Sequence, residues 1–136
     1  MLSPTLTTLR LFLHVLAASV WVGGQIALAG VVPSVRRISP EATRAAARAF
    51  ARVAWPAFAI VVVTGLWNLT EVDITDTSTS YQVTLLVKLT LVFASGAAAA
   101  VHAVGRSKVA LAVGGAIGLL AALGAMFCGY LLTTGQ

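Results

Sequence analysis

Long apolar runs, separated by short polar stretches, set the pattern of this chain. They cover residues 9–32, 53–69, 83–104 and 109–132, and the first contains "LFLHVLAASVWVGG", interrupted by His14. A helix that crosses a bilayer needs about 20 largely apolar residues, so the pattern predicts an all-α integral membrane protein, a transmembrane bundle with one helix per run. Between the first two runs lies "PSVRRISPEATRAAARAFAR". Ser39, Pro40 and Glu41 make a helix start: a capping hydroxyl, a proline at the first helical position and an acid at the positive end of the dipole. The second helix is therefore expected to begin near Pro40 in water as a basic segment over residues 40–52, and to insert around Arg52. Pro56 would kink it or mark the point of insertion.

Composition agrees. The chain is 59% hydrophobic and only 10% charged, against about 25% charged in soluble domains. One four-span domain, residues 1–136, accounts for its length. The formal net charge of +5 is distributed unevenly, and that distribution speaks of orientation rather than nucleic-acid binding. Arg36, Arg37, Arg44, Arg48 and Arg52 crowd the first connection, with Arg106 and Lys108 in the third, whereas the second carries Glu71, Asp73 and Asp76 and no base. The positive-inside bias places the first and third connections in the cytoplasm and both termini outside the cytoplasmic membrane. The first run is too long for a signal-peptide core, and cleavage after "ALAG" would strand Arg36 and Arg37 outside, so it is expected to stay as a span. Cys128 is the lone cysteine, which rules out an intramolecular disulfide.

Small residues supply the close packing that holds helices together in lipid. Ala17, Ala18, Gly23, Gly24 and Ala27 serve the first span, residues 96–100 the third, and Gly114, Gly118, Ala121, Ala122 and Ala125 the fourth. The Gly114/Gly118 spacing suits packing inside the bundle, a homodimer or a larger membrane complex equally well. Arg44, Arg48 and Arg52, four residues apart, form a basic stripe for anionic lipid headgroups or a partner.

Ionisable groups inside spans are costly and tend to be functional. With 1.5 Å of rise per residue, His14 lies about 7 Å inside the outer end of the first helix. Lys88 enters at a comparable depth on the third. Thr64, Trp67 and Asn68 end the second helix on that side, and Met126 and Cys128 the fourth. Trp21 sits two turns below His14 on the same face. His102 falls roughly 20 Å away along the axis, too far to share a haem with His14, and is read as interfacial. Imidazole suits iron or copper, and thioether and thiol suit Cu(I). Met1, Met126 and Cys128 are too few, and too one-sided, for a transport ladder. No H-E-x-x-H, phosphate loop or intramembrane carboxylate pair marks an independent enzyme.

"LHVLAASVWVGG", "TGLWN" and "LLVKLTLV" resemble the bacterial copper-resistance D (CopD-like) membrane domain over residues 9 to about 104. More distantly they are similar to HemJ-type protoporphyrinogen oxidases. The resemblance implies a polytopic protein concerned with copper or haem b at the outer side of the membrane, with His14 as ligand, Lys88 as its basic partner and Trp21 packed below. The expectation is a small membrane protein that binds haem b or copper in the outer leaflet, for copper or haem handling or electron transfer. The competing expectation is an accessory subunit of a larger respiratory or transport complex.

Overall fold

The computed structural model describes residues 3–135, and these form helices α1 (Leu6–Ile38), α2 (Pro40–Thr70), α3 (Thr79–Val104) and α4 (Lys108–Thr134). A single 3-10 turn, Ile74–Asp76, lies between α2 and α3, and no strand occurs among the described residues. All 4 helices are long and apolar enough to cross a membrane. The chain is thus an all-α, multi-pass membrane protein. No more than 28% of the most apolar window of any span is buried within the protein, and Phe93, Leu120 and Phe127 stand exposed. A lipid bilayer is the environment such faces require.

Local chemistry fixes the helix ends. Thr5 and Thr8 cap α1 reciprocally, the Thr8 amide donating to Thr5 Oγ1 at 3.1 Å and the Thr5 amide to Thr8 Oγ1 at 3.3 Å. Ser39 serves two helices. Its amide donates to the Val35 carbonyl at 2.8 Å and closes α1. Its hydroxyl accepts from the Ala42 amide at 3.1 Å and opens α2, with Pro40 at the first position. Each of the first two helices runs on through an internal proline, Pro33 and Pro56.

The chain divides into two compact units, residues 1–72 and 73–136. The first is an antiparallel pair: Arg10 meets Glu71, His14 meets Thr64, Trp21 meets Phe58, and the Phe50 ring lies directly over Gly24. Ala17, Ala57 and Val61 form its small buried core. The second is also antiparallel. Ser95 donates to the Gly118 carbonyl at 2.9 Å, and Gly114 faces the Ala98–His102 backbone. The G-x-x-x-G spacing of α4 is therefore used against α3, where absent side chains let two backbones approach.

Candidate functional site

Helical geometry puts positions four apart on one face, and α1 turns Arg10 and His14 toward α2. His14 Nδ1 lies 2.8 Å from Thr64 Oγ1. The buried Thr64 hydroxyl also donates back to the Ile60 carbonyl at 2.6 Å, a bond available to threonine inside a helix. Gly65 leaves space for the ring, since a Cβ there would stand 3.3 Å from His14 Cε1.

One turn toward the helix start, Arg10 is only 7% exposed. Its Nη1 pairs with Glu71 Oε1 at 3.1 Å, and its guanidinium lies 5.7 Å from the centre of the Trp67 ring. Burying a guanidinium is costly unless its charge is met. The carboxylate meets it here, and the aromatic face adds about 0.5–2 kcal/mol. Arg10 Nε and Asn68 Oδ1 are buried with no hydrogen-bond partner among the described residues. Sequence reasoning missed Arg10 because a cation near a span's end reads as interfacial. Its place four residues before His14 was the available signal.

Trp21 is buried and packs on Phe58 and Trp55, with ring centroids 4.5 and 5.6 Å apart. This cluster fills the α1–α2 contact two turns from His14. Arg44, Arg48 and Arg52 are exposed along α2. Because Phe50 sits over Gly24, the last two of these flank a level at which α1 is still apolar.

The remaining candidates belong to the second unit. Lys88 is half-buried, and its Nζ rests against α4, 3.3 Å from where a Cβ on Gly129 would stand. Cys128 is buried and Met126 is 47% exposed, since helix positions two apart point to nearly opposite sides. His102 is exposed at the end of α3, where its Nδ1 donates to the Leu111 carbonyl at 2.6 Å. Met1 lies outside the described residues.

The structure thus brings His14 and Thr64 into contact, with Trp67 and Asn68 one turn further along α2, and it adds Arg10 and Glu71. Lys88, Met126 and Cys128 occur in the other unit. No group of three or more His, Cys, Asp or Glu side chains placed to hold a metal ion occurs among the described residues.

A family model described as copper resistance protein D matches residues 44–118, more than half of the chain. The match runs from the basic start of α2 into α4. It includes Thr64, Trp67, Asn68 and Lys88 and leaves out His14, Trp21, Met126 and Cys128. It starts later than the resemblance over residues 9 to about 104, and it runs past the end of α3 into α4. No curated protein and no solved structure matches the chain. With four membrane-length helices and a family match over most of its central part, the chain belongs to the copper resistance protein D family.

Proposed function

We propose that the protein handles copper within the membrane and that His14 is the side chain copper meets. The observation that carries this reading is the His14–Thr64 contact of 2.8 Å. An imidazole inside an apolar helix, held by a neighbouring hydroxyl, resembles metal-binding histidines, whose second nitrogen is nearly always engaged. Copper is here a substrate that docks on His14 and is held there until it is passed on. The charge distribution favours the extracytoplasmic side of the cytoplasmic membrane for the Arg10–His14 end and for both termini. The resemblance makes Lys88 the basic partner, for an anionic group or as a second ligand. The exposed arginines 44, 48 and 52 meet anionic headgroups or a partner chain on the cytoplasmic side.

Haem b is the second reading, and an imidazole inside an apolar span favours it. Porphyrin already supplies four nitrogens to the iron, so the protein need give only an axial ligand.

The test is purification from cells supplied with copper and a haem precursor, followed by metal analysis and an absorption spectrum. Stoichiometric copper that is lost in His14→Ala supports the first reading, and a Soret band lost in His14→Ala supports the second. Neither signal in the wild type overturns both and leaves the role of accessory subunit in a larger membrane complex.

A further inference from the structure

"TGLWN" occurs at the end of α2; its Thr64 bonds to His14 and its Gly65 lies beside the ring. We infer that Thr64 and Gly65 form a seat that fixes the tautomer of His14, placing the proton on Nδ1 and the lone pair of the neutral ring on Nε2. The seat follows from geometry alone. Its use, to aim Nε2 at a metal, rests on the reading in which His14 binds one.

The inference begins from a single hydrogen. Thr64 has one hydroxyl proton, and two acceptors compete for it: the Ile60 carbonyl at 2.6 Å and His14 Nδ1 at 2.8 Å. The Val61 carbonyl, at 3.3 Å, lies on the same side as Ile60. Two oxygens 2.6 Å apart repel unless a proton lies between them, and a carbonyl has none to give. The Thr64 proton therefore points at Ile60. The Oγ1 lone pair then faces α1, and the bond to His14 exists only if Nδ1 donates. The relay runs from Nδ1–H to Thr64 Oγ1 and from Thr64 O–H to the Ile60 carbonyl.

Gly65 completes the seat by subtraction. A Cβ there would stand 3.3 Å from Cε1 and 3.9 Å from Nδ1 of His14, so a side chain would make the ring give by a few tenths of an ångström. Thr64 is buried, which keeps water from competing for the ring nitrogen.

The test uses the full-length, metal-free protein in lipid nanodiscs, with ¹⁵N-labelled histidine and His102→Gln to leave one signal pair. The expected spectrum shows Nδ1 protonated in the reference protein and in Thr64→Ser, which keeps the hydroxyl. Thr64→Val should lose that preference, with the Nε2–H tautomer becoming a substantial population. An Nε2–H tautomer in the reference protein overturns the seat, whether or not the valine variant folds. So does a Thr64→Val spectrum identical to the reference. Copper added as Cu(I) should bind Thr64→Val about 10–100-fold more weakly, with serine restoring affinity. Equal affinity in all three overturns the aiming role. Absence of copper and haem binding by the wild type overturns that role together with the reading of His14 as a ligand, while the tautomer result stands separately.

Discussion

An arginine that is 7% exposed, one turn into a membrane helix, needs its charge met, and Glu71 and Trp67 meet that of Arg10. Removing one partner of such a pair leaves a charge uncompensated, whereas removing both is much less harmful. Glu71→Gln should lower the thermal midpoint in detergent by an amount corresponding to about 1 kcal/mol, because the Glu71 side chain is 52% exposed and partly screened. Arg10→Met combined with Glu71→Gln should recover most of that loss. Additive losses would show that the two side chains do not interact. Asp73 lies in the loop after α2, where its carboxylate accepts from Thr75 Oγ1 at 2.6 Å and from the Thr75 amide at 3.1 Å. The hydroxyl bond first, and the amide bond next, hold its pKa below the ordinary aspartate value. A depressed folded-state pKa means that the contribution to loop order is complete at neutral pH. It is lost only as pH falls through the depressed value. A carboxyl ¹³C titration should place the Asp73 midpoint below that of aspartate in a short peptide. A midpoint at or above the peptide's would refute the cap.

Among the elements, the pair α3–α4 depends on close backbone approach. A Cβ on Gly114 would lie 3.1 Å from the Ala98 carbonyl oxygen and 3.2 Å from the His102 amide nitrogen. Neither atom can swing aside as a side chain does. Gly114→Ala should therefore cost about 1–3 kcal/mol. Gly23→Ala, where a Cβ meets nothing within 4 Å, should change stability by less than about 0.5 kcal/mol. Melting curves of the two variants in one detergent decide this, and equal shifts would contradict the packing described. The four helices were legible because apolar length is a direct signal, and Ser39–Pro40–Glu41 announced the start of α2. The use of Gly114 and Gly118 against α3 was not legible, since the same spacing serves any helix partner. Nor was the level of Arg52, which depends on Phe50 packing over Gly24.

For the molecule as a whole, four membrane-length helices and the match to copper resistance protein D agree on a copper-related membrane protein. His14 was visible in the sequence as the exception in an apolar run. Its partner Thr64 was visible only as a residue at similar depth, because depth does not say which side chains touch. Arg10 and Glu71 were hidden by being charges near helix ends. Met126 and Cys128 looked like a pair of soft ligands, yet the helical turn sends one into the interior and leaves the other exposed. What unites these observations is one imidazole, gripped by α2 through Thr64, at the end of the α1–α2 pair that also buries Arg10. The most direct measurement is X-ray absorption at the metal edge of the loaded, purified protein, compared between wild type and His14→Ala. The account predicts the scattering signature of an imidazole bound to the metal in the wild type and its loss in the variant. Metal retained by His14→Ala with an unchanged imidazole signature would contradict it.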